Sequence, residues 1–383
     1  MEITKVKTFF VNPGGPKNWL FIKIETDDAI TGWGEAYIEL DRDTSVAEQV
    51  EHMGRYLIGR SPFNIKHFTQ VMFDDFSSKR GGKDFYCALS GMEEALWDII
   101  GKKLDTPVYN LLGGACRDRI RVYANGWITW GYPPEEYASK AVETVKSGFD
   151  AIKFDPFPAP WRTYISKKDE DAAVENVRAV REAVGPDIDL LIEVHRRLAP
   201  MHAVRVASRI EEFEPLWYEE PVVAHNLDAM VEVKGRINIP VVTGEALYAK
   251  SDFREVFEKR AADIINPDVC SCGGILELKE IAAMAEPYFI VVSPHNFNST
   301  AIGLAATLQV SACIPNFLIT EYFVNFKPRG DEISVNPLKV ENGYIEIPKG
   351  PGLGLELDEE AMANYPYMEF AKRNIRQYFE EGP

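Results

Sequence analysis

Between residues 193 and 321 a titratable side chain recurs at a nearly fixed interval. Glu193, Glu219, Glu245, Asp268, His295 and Glu321 are separated by 26, 26, 23, 27 and 26 residues, and each closes a short apolar run: DLLIEVH, WYEEP, PVVTGE, DIINPDV, YFIVVSPH and FLITEY. Three carboxylates brought together without a cation repel one another and take up protons. A hard divalent ion resolves that conflict, and a donor set made only of oxygen favours Mg2+ over zinc or copper. Glu193, Glu219 and Glu245 are therefore the expected ligands of one Mg2+. Asp268 and His295 end neighbouring runs, and a carboxylate beside an imidazole orients the ring, fixes its tautomer and raises its basicity. That makes His295 the expected general base. His195 stands two residues beyond Glu193, so both side chains share one face of the strand. It should look at the metal from the wall opposite His295, one histidine taking a proton and the other giving one.

Something must hold these side chains at one level, and the rest of the chain supplies it. Two earlier runs, RVYANGW (121–127) and AIKFDP (151–156), bring the count to eight, and amphipathic segments such as EEYASKAVETVKSG, EDAAVENVRAVREAVG, AVRVASRIEEF and ILELKEIAAMAEP separate the runs. Eight alternating strand and helix signals indicate an α/β fold, a (β/α)8-type (modified TIM) barrel whose active site lies at the C-terminal ends of its strands. The same level then carries Asn125, Trp127, Lys153 and Asp155. Residues 1–115 read differently: ITKVKTFFV, WLFIKIET and TGWGEAY suit an antiparallel meander, followed by helices near 44–58, 64–77 and 87–104. The expected division is an α+β capping domain (1–115), the barrel (116–325) and a C-terminal segment (326–383) that returns to complete the cap. The eighth helix is weakly marked. The Gly-rich basic loops VNPGGPKN (11–18) and SSKRGGKD (77–84) suit lids over an anionic substrate.

Composition narrows the partners. The 383 residues hold 42 Lys+Arg against 59 Asp+Glu, a net charge of -17, with no basic block, which speaks against nucleic acid and acidic membrane surfaces. Residues 296–320 carry no charge but are broken by Gln309, Ser311 and Pro315, as in a buried helix followed by a buried strand rather than a membrane span. Five cysteines, an odd number mostly within apolar segments, and an opening without the apolar stretch of a secretory signal make a reduced, cytoplasmic chain the expectation. No phosphate-binding loop is present, and GPGLG (350–354) is not a dinucleotide fingerprint.

The ladder of carboxylates and histidines, the segment ALWDIIGKKLDTPVYNLLGG (95–114) and WYEEP together resemble the enolase superfamily, in its mandelate racemase and muconate lactonizing group. The EVHRR run (193–197) is similar to that of the acid-sugar dehydratases acting on galactonate and gluconate. The resemblance implies Mg2+-dependent dehydration of an aldonate to a 2-keto-3-deoxy acid. His295 would abstract the α-proton, His195 would protonate the departing 3-hydroxyl, and Glu321 would hydrogen-bond the carboxylate end. It also implies a homo-oligomer. Two positions depart from the group: Glu193 stands where Asp is common, and Lys153-Phe154-Asp155 stands where racemases carry Lys-x-Lys. A carboxylate facing the substrate from position 155 is a poor base, so one base and one acid are expected rather than two-sided proton exchange. Lys153 is expected at the substrate carboxylate or in an internal salt bridge, Arg197 at a substrate hydroxyl or in a loop salt bridge, and Asn125 and Trp127 in the sugar pocket. The competing readings are a racemase or epimerase on the same fold, a Schiff-base aldolase using Lys153, and a non-catalytic metal-binding barrel.

Overall fold

The N-terminal runs pair as an antiparallel meander, β1 (Ile3–Val11), β2 (Trp19–Thr26) and β3 (Thr31–Ala36), in a computed structural model that describes residues 1–371. Central strand β2 is covered on both sides. Leu20, Ile22 and Ile24 face a core shared with the cap helices, while Trp19 and Phe21 face the larger core that continues into the barrel. Those helices are α1 (Asp43–Gly54), α2 (Ile65–Val71), which continues as one wide π turn, and α3 (Lys83–Lys103). α3 starts four residues ahead of its expected position, because Lys83–Tyr86 continue the helix from an extended Gly82. The Gly-x-Gly of β3 is what lets α3 lie directly on the strand. A β-carbon at Gly34 would stand 1.8 Å from the carbonyl oxygen of Gly91, and one at Gly32 would stand 2.1 Å from that of Ala95.

After the short α4 (Val108–Leu111) the alternation begins: β4 (Arg119–Asn125), α5 (Pro134–Lys146), β5 (Ala151–Phe154), α6 (Lys167–Val184), β6 (Asp189–Glu193), α7 (Pro200–Ile210), β7 (Trp217–Glu219), α8 (Leu227–Lys234), β8 (Val241–Thr243), α9 (Ala249–Lys259), β9 (Ile264–Ile265), α10 (Ile275–Ala285), β10 (Val291–Val292), α11 (Ile302–Cys313), β11 (Thr320–Phe323) and α12 (Lys327–Ile333). The eight strands are parallel neighbours in sequence order, β11 pairs with β4, and a bridge from Val292 to Phe317 closes the ring. Two segments differ from the sequence reading. Residues 286–288 form a tight turn and Phe289 is left-handed, so β10 starts only at Val291. The eighth helix is present but spans seven residues. All of α11 is buried, which accounts for the uncharged stretch. Among the described residues no helix is long and apolar enough to cross a membrane.

The last segment adds β12 (Tyr344–Glu346) antiparallel to the start of β4, then α13 (Glu359–Ala363). It then runs along the meander, where Tyr365 accepts the amide of Asn12, and Asn18 exchanges two hydrogen bonds with Met368. Residues 372–383, part of the expected returning segment, lie outside the described residues. Buried carboxylates tie the cap to the barrel. Glu93 accepts the amides of Ile275 (2.7 Å) and Leu276 (3.1 Å) at the start of α10. Glu35 accepts those of Ser299 and Gly303 (both 2.8 Å) at the start of α11. Helix N-termini favour negative charge, yet burial dominates and pushes both carboxyls up to about 7.

Candidate active site

Strand alternation builds the site in layers. Tyr123, Ala151, Leu191, Trp217, Val242, Ile264 and Ile319 fill the lower barrel. Two residues further along their strands, on the same face, stand Lys153, Glu193, Glu219 and Glu321. Glu193 and Glu219 are direct partners across β6 and β7. Glu245 lies two residues past β8, where its amide donates to Asn266 Oδ1 at 3.1 Å. One ligand atom from each of Glu193, Glu219 and Glu245 lies within 4.8 Å of the other two.

The compensation of these charges is incomplete. Lys153 Nζ is 2.8 Å from Glu219, 2.8 Å from Glu321 and 3.4 Å from Glu193, and Arg196 pairs with Glu245. Glu219 also accepts from the Trp217 indole at 2.9 Å and the Asn266 amide at 2.9 Å. Glu193 Oε2 is buried without a hydrogen-bond partner. Burial and the neighbouring charge of Glu193 push the Glu219 carboxyl well above the usual range. A buried carboxylate oxygen without a hydrogen bond, compensated only by the Lys153 ammonium at 3.4 Å and lying beside a carboxyl driven towards protonation, fits a divalent cation bound by oxygen. Burial opposes charge on Lys153, but Glu219, Glu321 and Glu193 outweigh it and hold the ammonium well above the usual lysine range. Lys153 is thus an internal salt-bridge residue, and an amine held this firmly protonated is a poor Schiff-base nucleophile.

His295 Nδ1 lies 2.6 Å from Asp268 Oδ2. Asp268 is fixed in turn by the Asn298 amide (2.9 Å) and the Cys270 N–H (2.8 Å). His295 Nε2 faces inward, 3.3 Å from Glu245 and 3.6 Å from Glu321. Burial works against its charge, but Glu321 and Asp268 outweigh that and raise its pKa. Glu321 accepts from Asn125 Nδ2 at 2.8 Å and from the Asn296 amide at 2.9 Å, so Asn125 positions that carboxylate. His195 sits on a left-handed backbone (φ 54°) with its amide donating to Glu193 Oε1 at 2.6 Å. Burial lowers the His195 pKa, and the attraction of Glu193 only partly offsets it.

One expectation needs correction, and one open alternative is decided. Asp155 does not stand free before the substrate: its Oδ2 is 2.8 Å from His195 Nδ1 and also pairs with Arg197. Arg197 is buried, donates to the Val194 carbonyl at 2.8 Å and packs between the rings of Phe157 and Trp161, so it makes the loop salt bridge. Trp127 is half-buried at the rim and donates its indole N–H to the Lys153 carbonyl at 2.8 Å. His52, His67 and His202 lie in helices α1, α2 and α7, away from this group.

Other contributors were not singled out from sequence. Arg196 directly follows His195, Trp161 stacks on the His195 ring at 4.8 Å, and Tyr37 of the cap lies 6.1 Å from the His295 ring. The two basic cap loops meet at Tyr37: Lys17 sits over its ring at 4.3 Å and Lys83 at 5.2 Å. Burial pushes Lys17 down to about 8.

The N-terminal domain of the mandelate racemase/muconate lactonizing enzymes matches residues 14–113, and an enolase C-terminal domain-like family matches residues 136–361. The chain belongs to the mandelate racemase/muconate lactonizing enzyme family of the enolase superfamily. Similar curated proteins include a D-galactonate dehydratase from Cronobacter sakazakii, 36% identical over 94% of this chain and 93% of its own. A D-xylonate dehydratase from Haloferax volcanii is 37% identical over 94% of this chain and 88% of its own. Among solved structures, a mandelate racemase/muconate lactonizing enzyme-like protein from Roseovarius superposes with a TM-score of 0.91 at 33% identity, covering 98% of this chain and 99% of that one.

Proposed function

We propose that this protein dehydrates an acid sugar, an aldonate, to a 2-keto-3-deoxy acid, with one Mg2+ held by Glu193, Glu219 and Glu245. One observation carries this reading. His195 follows β6 and His295 follows β10, which have three strands between them in either direction around the ring. The two imidazoles therefore flank the carboxylate cluster from opposite walls. When bound, Mg2+ supplies positive charge that holds the substrate carboxylate and offsets the charge that develops as the α-proton leaves. His295 takes that proton at Nε2 while Asp268 holds Nδ1. His195 gives a proton to the departing 3-hydroxyl, which leaves as water, and the enol tautomerises to the ketone. Glu321, held by Asn125 and Lys153, fixes the carboxylate end. The names of the relatives above support an elimination. Racemisation would need a second base on the β5 or β6 wall; on β5, Lys153 is bound by three carboxylates and Asp155 is paired, which leaves His195 on β6, and the exchange experiment below separates its two roles.

The test is incubation with galactonate, gluconate, xylonate and further aldonates in Mg2+ and D2O. At least one should yield a 2-keto-3-deoxy product, and EDTA should abolish the turnover. His295→Asn should stop both elimination and α-proton exchange, whereas His195→Asn should stop elimination and keep slow exchange. Deuterium incorporation into the wild-type substrate pool without loss of water would overturn the reading in favour of a racemase.

A further inference from the structure

We propose that Asp155 is the positioning residue of His195, so that the site contains two carboxylate-held imidazoles, each served by the strand before its own. The inference rests on His195 being the acid of the proposed dehydration and names what orients it.

Asp155 follows β5 and His195 follows β6, just as Asp268 follows β9 and His295 follows β10. The Nδ1-to-carboxylate distances are 2.8 Å and 2.6 Å. An ionised carboxylate only accepts hydrogen bonds, so this contact keeps one proton on Nδ1, and the proton that His195 gives up is a second one, carried at Nε2, the atom that meets substrate. The Asp155 carboxylate is itself fixed. Its Oδ1 accepts the Phe157 N–H at 2.9 Å, and its Oδ2 also receives Arg197, whose own Nε is tied to the Val194 carbonyl. Trp161, from the same loop as Asp155, lies nearly parallel to the His195 ring, at 18° and 4.8 Å. One loop thus sets both the in-plane rotation of the imidazole, through Asp155, and its tilt, through Trp161. A left-handed backbone at His195, which costs a β-substituted residue about 1 kcal/mol, is retained with this arrangement. The carboxylate at 155, unsuited to act as a base on the substrate, has a use: it turns the neighbouring histidine.

The experiment compares the full-length Mg2+-loaded wild type with Asp155→Asn. An asparagine can present its NH2 to Nδ1 and so release the tautomer. The expected result is a fall of about 10- to 100-fold in kcat for elimination, with KM and α-proton exchange within about threefold of wild type. In parallel, 15N NMR of the histidine rings, with the His195 signals assigned by His195→Asn, should show the neutral ring, left once the Nε2 proton has gone, as the Nδ1–H tautomer in the wild type. The variant should shift towards Nε2–H. Unchanged elimination in Asp155→Asn, or equal loss of elimination and exchange, overturns the proposal. So does a wild-type His195 ring in the Nε2–H tautomer, a measurement that needs no variant to fold. If His195→Asn itself eliminates at the wild-type rate, the acid assignment fails separately, and the tautomer still decides whether Asp155 holds the ring.

Discussion

Replacing Lys153 with Met removes one ammonium from among three buried carboxylates and keeps most of its volume. Removing one partner of a buried ion pair costs about 3–5 kcal/mol, because the remaining charges lose their compensation. Unfolding entropy of about 2.1 cal/mol/K per residue over 383 residues makes 1 kcal/mol equal to about 1.2 °C in melting temperature. Lys153→Met should therefore melt about 4–6 °C below wild type in EDTA. Part of the cost is recovered when a carboxyl takes up a proton, and Glu219, already pushed upward by burial and by Glu193, is the group placed to do so. The deficit should accordingly be smaller at pH 6 than at pH 8. Mg2+ at a hundred times its Kd should raise the wild type by about 3 °C, corresponding to about 2.7 kcal/mol. It should raise the variant by more, because the cation then supplies compensation that the lysine supplied before. Differential scanning calorimetry at both pH values, with and without Mg2+, reads all of these quantities. An EDTA melting temperature equal to wild type, or the same Mg2+ shift in both proteins, would refute the view that lysine and cation balance the same carboxylates.

Two further predictions concern the scaffold. Glu35 has a folded pKa of about 7 against an ordinary 4.5, so between those values the folded state binds a proton that the unfolded state does not. Stability should fall by up to about 3 kcal/mol as pH rises from 4.5 to 7 and the contribution of this group should level off above that. Glu35→Gln should lack this component in urea titrations at pH 5 and 8, and parallel pH dependences would contradict it. Gly34→Ala drives a β-carbon onto the Gly91 carbonyl and should cost about 3 kcal/mol or more. An unchanged urea midpoint would show that β3 and α3 can separate freely.

The ladder was legible because each strand of the barrel contributes one inward residue at its end, so a repeat of about 26 positions in sequence becomes one level in space. Glu193 and Glu219 are strand residues and needed no knowledge of loops, and Glu245, two residues past β8, kept the interval. Asp155 and Arg197 lie in loops beyond the strand ends, where alternation no longer says which way a side chain points. Their partnership joins positions about forty residues apart and could not be read from spacing. The early start of α3 was hidden by Gly81-Gly82, a stop signal that here immediately precedes the helix. The delayed start of β10 follows from backbone conformation at Phe289, which an apolar residue type does not announce. Tyr37 and Lys17 reach the site only through the docking of the cap on the barrel, which a single chain's pattern does not record.

That docking has a consequence for attempts to change substrate preference. Glu35 and Glu93 close the starts of two barrel helices, so the part of the protein carrying the basic loops also completes the hydrogen bonding of the catalytic scaffold. A chimera that grafts another family member's N-terminal half onto this barrel would have to match carboxylates 35 and 93 to the amides at 275, 276, 299 and 303. Otherwise it would leave buried donors without partners. Redesign by modular exchange should therefore confine replacement to residues 13–16 and 77–82 and keep the frame that bears them.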